Sequence, residues 1–329
     1  MGEKIEKELK WAVLGTGIIA NEMAQALEKM GKKLYAVANR THGKAVEFAK
    51  KYGVQKVYDK IEDMFTDKET DIIYITTPHN THIKFMIEAL KNGKHVLCEK
   101  SITLNSEELE EAVKIAKEKN LILGEAMTIF NMPLYTELSE IVNSGKLGDV
   151  RMIQVNFGSY KEYDMNNRFF NRNLAGGALL DIGVYAISIT RLFMTSKPDN
   201  VLSQVKYAPT GVDEQASIIM MNKEQQMSTI ALTLHSKQPK RVVIACEKAY
   251  IEITEYPRAD KAKIVYTETG EIEEITVGMT ANALQYELQN MEESVKTGIN
   301  KMKLEYTIDV MDIMTKLRKE WGMTYPEEE

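Results

Sequence analysis

Between Lys10 and Ala20 the chain reads Lys10-Trp11-Ala12-Val13-Leu14-Gly15-Thr16-Gly17-Ile18-Ile19-Ala20, a short apolar strand, a glycine turn and the opening of a helix. In this G-x-G-x-x-A spacing Gly15 allows a sharp turn, Gly17 holds no side chain against a pyrophosphate, and Ala20 lets helix and strand pack closely. The helix N-terminus adds free N–H groups and a partial positive charge. The pattern also occurs in ordinary turns, so its weight comes from the strand before it and the helix after it. The first expectation is a dinucleotide site on Gly15, Thr16, Gly17, Ile18 and Ile19.

The rest of residues 1–125 keeps that strand–helix alternation. Strand-like runs fall at Lys10–Gly15, Leu34–Asn39, Val57–Asp59, Asp71–Thr76, His95–Glu99 and Leu121–Glu125, with helical stretches including Ile18–Met30, Lys44–Tyr52, Ile83–Lys91 and Ser106–Lys119. Several of these strands are almost wholly apolar, as when helices cover both faces of a parallel sheet. This predicts an α/β, doubly wound nucleotide-binding domain over 1–125.

Residues 126–329 follow a different order. Helices at Pro133–Ser144 and Ala178–Met194 flank a strand at Val150–Phe157. Seven closely spaced strand-like runs then lie between Val201 and Val277, before helices at Leu284–Lys296 and Ile308–Trp321. Short turns between successive strands predict an α+β domain with a mostly antiparallel open sheet, and an active site in the cleft between the domains.

Composition narrows the partners. Apolar residues make up 44% and charged residues 27%, with a net charge of −6. That balance speaks against nucleic acid and anionic membranes, and no run reads as a membrane span. Met1–Leu9 is charged without an apolar signal region, and the two cysteines, Cys98 and Cys246, lie in separate strand-like segments. The expectation is a cytoplasmic protein without disulfides.

Four loops would face the cofactor. The second strand ends Ala38-Asn39-Arg40-Thr41, with no acidic residue to meet a ribose 2′-hydroxyl. Arg40 offers a charged fork to a 2′-phosphate, with Asn39 beside it, which favours NADP; the alternative is NAD with Arg40 stacked on adenine. The fourth strand ends Thr76-Thr77-Pro78-His79-Asn80-Thr81-His82. His79 and His82 have ligand-like spacing, but no nearby cysteine or carboxylate completes a set, so no metal is expected. Here Pro78 stiffens the loop, Asn80 or Thr81 caps the next helix, and His82 orients backbone or ribose. The fifth strand ends Cys98-Glu99-Lys100-Ser101, where alternation points Glu99 and Lys100 to opposite faces. In Gly176-Gly177-Ala178-Leu179-Leu180-Asp181-Ile182-Gly183-Val184-Tyr185 the acid and the phenol are four residues apart, on one helix face. Beside a lysine they can handle the proton that accompanies hydride transfer; the bland alternative is a helix cap and a packed tyrosine.

Taken in order, these four motifs resemble the glucose–fructose oxidoreductase / inositol dehydrogenase (Gfo/Idh/MocA) family over nearly the whole chain. The resemblance implies a Rossmann domain, then a domain whose open sheet forms homodimers or homotetramers. It places Lys100 near the nicotinamide and the substrate hydroxyl, and aligns Asp181 with the family aspartate. Tyr185 stands where many members have a histidine, as in the dihydrodiol dehydrogenase and glucose–fructose oxidoreductase branches, where a tyrosine transfers the proton. Lys100 is expected to help by favouring phenolate. Arg168 matches an arginine often found before this motif, in contact with cofactor or substrate. Two departures stand out: Ser101 replaces the usual proline, and Glu125-Ala126-Met127 matches the dihydrodiol dehydrogenase branch before Thr128-Ile129-Phe130-Asn131 diverges where substrate is expected.

The reading is an oxidoreductase acting between NADP(H) and a small sugar, polyol or vicinal diol, or the corresponding carbonyl. Catalysis falls to Lys100, Asp181 and Tyr185, and cofactor binding to the residues above together with Thr77, His79, Glu99 and Arg168. The rivals are a dinucleotide sensor without chemistry and an enzyme that recycles bound NAD.

Overall fold

A computed structural model describes residues 8–329, so all but the end of the charged Met1–Leu9 stretch lies outside the described residues. The first unit runs β1 (Trp11–Leu14), α1 (Ile18–Lys29), β2 (Ala36–Ala38), α2 (His42–Tyr52), β3 (Lys56–Val57), α3 (Ile61–Thr66), β4 (Ile72–Ile75), α4 (His82–Lys91), β5 (His95–Glu99), α5 (Ser106–Glu118) and β6 (Leu123–Ala126). Its six strands lie in the order β3-β2-β1-β4-β5-β6, and every pair is parallel. Every residue of β1 and β4 is buried, as the unbroken apolar runs predict. The strand order reverses between β1 and β4, which opens a crevice at their carboxyl ends.

The chain continues through α6 (Thr128–Asn131), α7 (Pro133–Asn143) and β7 (Val150–Gly158) to a π-helical turn, Leu179–Gly183, that runs into α8 (Val184–Phe193). Then come β8 (Asn200–Tyr207), β9 (Asp213–Met221), β10 (Met227–Thr233), β11 (Gln238–Cys246), β12 (Ala249–Thr254), β13 (Lys261–Tyr266), β14 (Ile272–Thr276), α9 (Ala283–Thr297) and α10 (Leu304–Glu320). These eight strands form a sheet in the order β14-β13-β12-β11-β7-β10-β9-β8. Every pair in it is antiparallel except β7 with β10. Helix α8 packs on β7 and β10 and against α10. The stretch 172–193 is long and apolar enough to cross a membrane by length and composition alone, and 78% of its apolar window is buried inside the protein.

The end of the chain returns to the first sheet. Leu284, Leu288 and Met291 of α9 share a core with Trp11, Val13 and Leu27. Trp11 Nε1–H donates to Glu292 at 3.0 Å, and Asn300 donates to the Leu123 carbonyl at 2.8 Å. Residues 126–329 therefore supply one of the covering helices of the nucleotide-binding sheet as well as the second sheet. A tryptophan on β1 needs an apolar cover and a partner for its indole N–H, and α9 provides both.

Candidate active site

A cavity of about 750 Å³ lies where the carboxyl ends of β1, β4 and β5 meet the glycine-rich turn before α8. Its walls include Gly17, Ile18, Ile19, Thr77, Pro78, His79, Glu99, Lys100, Arg168, Asp181 and Tyr185. Residues from four separate loops are thus brought together.

On the nucleotide side, Gly15 has φ +113°, and a Cβ there would lie 2.4 Å from Thr76 Oγ1, so only glycine fits. Gly17 faces open space, with no atom within 4 Å of the position a Cβ would take. It also caps α1 without a side-chain bond, leaving the first-turn N–H groups for an anion. Ile18 is 84% exposed at the cavity wall, an apolar surface suited to a covering ligand. At the end of β2, Asn39 donates to Thr16 Oγ1 at 2.8 Å and accepts from the Thr41 N–H, and exposed Arg40 lies beside it. These groups fit a dinucleotide: donors for its pyrophosphate, apolar surface, and a cation at the ribose end.

The two histidines divide. His79 lines the cavity, and its Nε2–H donates to the Lys100 carbonyl at 3.0 Å. Burial, with help from the nearby His82 and Lys100 charges, drives its pKa down to about 3, so the ring is neutral. His82 is fully buried, with ring nitrogens 3.0 Å from the Ser101 carbonyl and 2.8 Å from that of Thr77. It ties the two loops together, which corrects its assignment as a cofactor contact. Thr81 takes the N-cap position of α4 without a side-chain cap bond: its Oγ1 donates to the Pro78 carbonyl, and Asn80 donates to the Asn173 carbonyl.

On the reacting side, Lys100 Nζ donates to the Asp181 carbonyl at 2.7 Å and to its carboxylate at 3.3 Å, and lies 4.8 Å from the Tyr185 ring centre. Burial pulls the ammonium down, but the charges of Tyr185, Asp181 and Glu99 outweigh it, and its pKa stands above the ordinary lysine value. Burial likewise works against the Asp181 carboxylate, yet Lys100 and Arg168 hold it below the usual range. Glu99, in the same cavity wall, accepts from the Tyr74 hydroxyl.

For Tyr185, burial outweighs Lys100, which acts in the direction expected from the sequence. Burial pushes the phenol above its ordinary pKa, and Lys100 offsets only part of that rise. The ammonium lies over the ring and is engaged by Asp181, and the raised pKa keeps the Tyr185 phenol protonated at physiological pH.

In the sequence Ser101 marks only a missing proline. Its hydroxyl donates to the Leu180 carbonyl at 2.9 Å, and the Lys100–Ser101 peptide bond is cis. With Lys100 bonded to the next carbonyl, side chains from the β5 loop take two consecutive acceptors of the turn before α8. A π-helical turn, wider than the regular helix predicted over this stretch, accompanies those contacts. The 125–131 segment lies elsewhere. Glu125 accepts from the Ile102 N–H at 3.1 Å, and Thr128–Asn131 is buried outside the cavity wall.

The cavity wall also holds Phe169 and Leu174, to which the sequence assigns no role, and Lys161 Nζ lies 4.2 Å from the Phe169 ring centre. They lie on an irregular segment whose spacing carries no periodic signal.

Residues 9–127 match a family model described as "Oxidoreductase family, NAD-binding Rossmann fold" (GFO_IDH_MocA), and residues 135–252 match the GFO/IDH/MocA C-terminal domain. Trans-1,2-dihydrobenzene-1,2-diol dehydrogenase of Xenopus laevis is 30% identical over 96% of this chain and 99% of that protein. The Homo sapiens enzyme of the same name is 26% identical over 97% and 99%. Among solved structures, KijD10, a 3-ketoreductase from Actinomadura kijaniata in complex with NADP and TDP-benzene, superposes with a TM-score of 0.84 at 18% identity, covering 95% of this chain and 98% of that one. A levoglucosan dehydrogenase in complex with NADH and levoglucosan has a TM-score of 0.83 at 16% identity and the same coverage.

Proposed function

The chain belongs to the GFO/IDH/MocA family of NAD(P)-binding oxidoreductases, and on that premise we propose that it interconverts a small sugar, polyol or vicinal diol and its carbonyl with NADP(H). The observation that carries this reading is the Lys100–Asp181–Tyr185 cluster in the cavity wall that also holds Gly17 and the start of α1. When bound, the nicotinamide supplies or accepts the hydride. In reduction Tyr185 donates its hydroxyl proton to the carbonyl oxygen, and the Lys100 ammonium stabilises the developing oxyanion. Asp181 holds Lys100 by its side chain, and His79 holds the same residue by its carbonyl. The intact cluster argues against a sensor without chemistry.

The test is NADPH oxidation against aldehydes, dicarbonyls and keto-sugars, with NADP⁺ reduction by sugars and diols in parallel. Turnover that consumes cofactor is expected. Binding with no net consumption on any substrate rejects the dehydrogenase reading.

Preference for NADP(H) rests on Arg40 and on the lack of an acid at the tip of β2. Arg40→Ala is expected to weaken NADPH binding about 10- to 100-fold, the size of a lost charge-assisted contact, with NADH affinity nearly unchanged. Fluorescence titration of both cofactors checks this; equal losses on both would return the assignment to NAD.

Assembly as a homodimer or homotetramer through the open sheet is supported by the face turned away from α8. Leu202 on β8 is 62% exposed, and its register neighbour Ile219 on β9 is 44% exposed. Leu202→Lys is expected to lower the sedimentation mass toward the monomer; an unchanged mass places the interface elsewhere. A cytoplasmic location fits free Cys98 and Cys246.

A further inference from the structure

Beside the reacting cluster, Arg168 and Lys161 bring two further cations against one aromatic ring. Arg168 lines the cavity, with its guanidinium 4.5 Å from the Phe169 ring centre and 3.7 Å from the Asp181 carboxylate. Lys161 Nζ lies 4.2 Å from the same ring centre. Lys161 is partly buried and has no ion-pair partner among the described residues. Asp181 is already shared by Lys100 and Arg168, and Lys240, the next cation, is paired with Glu255 at 2.8 Å. The acids on the segment of Lys161 do not serve it. Asp164 accepts from the Asn166 N–H, Glu162 is exposed, and Glu214 is held by Lys206 and Tyr163.

A partly buried ammonium without an ion-pair partner loses hydration, and its contact with the Phe169 ring repays only part of that loss. Burial pulls the Lys161 pKa below its ordinary value; Asp181 opposes the fall, and Arg168, Lys100 and Lys240 add to it. A bound anion would reverse both penalties. The Phe169 ring lies against both cations and holds them near one another.

We propose that the substrate carries an anionic group, a carboxylate or a phosphate, bound between Lys161 and Arg168 against Phe169. This rests on the oxidoreductase reading above and narrows its substrate to acidic sugars or polyols over neutral ones.

The experiment uses the NADPH-loaded enzyme with matched sets: a neutral keto-sugar or aldose, its uronate, and its 6-phosphate. Two quantities are read, the melting-temperature rise on adding each compound and kcat/KM for each. The charged members are expected to stabilise the loaded enzyme and to be preferred at least about tenfold, as one charge-assisted contact implies. Uronate preferred over phosphate identifies the carboxylate, and the reverse identifies the phosphate. Lys161→Gln is expected to cut the charged-over-neutral ratio about tenfold and Lys161→Arg to restore it. A purely structural role for Lys161 would lower both members of each pair and leave the ratio intact. No anion-dependent stabilisation, or a ratio that Lys161→Gln does not move, overturns the proposal even if turnover is robust. Stabilisation by the charged members without turnover of any compound counts instead against the oxidoreductase reading and upholds the anion site.

Discussion

Replacing Tyr185 with phenylalanine is expected to lower kcat about a hundred- to ten-thousandfold, the range for losing a positioned proton donor, with NADPH affinity within about twofold. The change removes one oxygen and leaves the ring that packs near Phe157 and lies by Lys100, so fold and cofactor groove are preserved. The pH profile gives a second readout. Because burial lifts the Tyr185 pKa above the ordinary tyrosine value, the protonated form dominates through the neutral range. Carbonyl reduction uses that form and is expected to stay level from neutral pH to about pH 10. Alcohol oxidation needs the phenolate and should rise about tenfold per pH unit across the same range, with no plateau below about pH 10. Steady-state rates in both directions check this. A plateau near neutrality, or a Tyr185→Phe enzyme with full turnover, would transfer the proton to another group.

The second large effect is expected at Lys100. Lys100→Met removes the ammonium proposed above to stabilise the oxyanion, and turnover should fall about a hundred- to a thousandfold, as when a preorganised donor to an oxyanion is lost. It also strips a buried carboxylate of its nearer partner. Asp181 keeps only Arg168, 3.7 Å away and largely exposed. Breaking a buried pair costs about 3–5 kcal/mol, and the remaining guanidinium should hold the loss near the lower figure. Urea unfolding checks the stability and single-turnover kinetics the chemistry. The double variant Lys100→Met/Asp181→Asn should recover most of the stability and none of the turnover, since it removes the stranded charge but not the need for the ammonium. Recovery of both would make Lys100 a structural residue.

Much of the first domain is legible because its signals are local. Gly15 and Gly17 act through backbone sterics, the buried strands through unbroken apolar runs, and the edges of β5 and α5 through periodicity. The second sheet is legible as alternating runs, although the parallel pairing of β7 with β10 leaves no mark in either strand. In the site, Lys100, Asp181 and Tyr185 were readable as residue types at strand and helix ends. His82 was misplaced because its sequence does not show that both ring nitrogens face carbonyls of neighbouring loops. Lys161 was invisible because its significance is the absence of a partner.

Sequence alone determined the strand–turn–helix at Gly15–Ala20, the two-domain order of folds, the chemistry available at Lys100, Asp181 and Tyr185, and the absence of an acid beside Arg40, since each depends on residue type at short spacing. Tertiary structure decided which groups face one another. It brought α9 back to cover Trp11 and turned Ser101 into a donor for Leu180. It also set the Tyr185 proton by burial against an ammonium already held by Asp181. Burial and charge pairing are sums over neighbours distant in the chain, and those sums exist only once the chain has closed on itself.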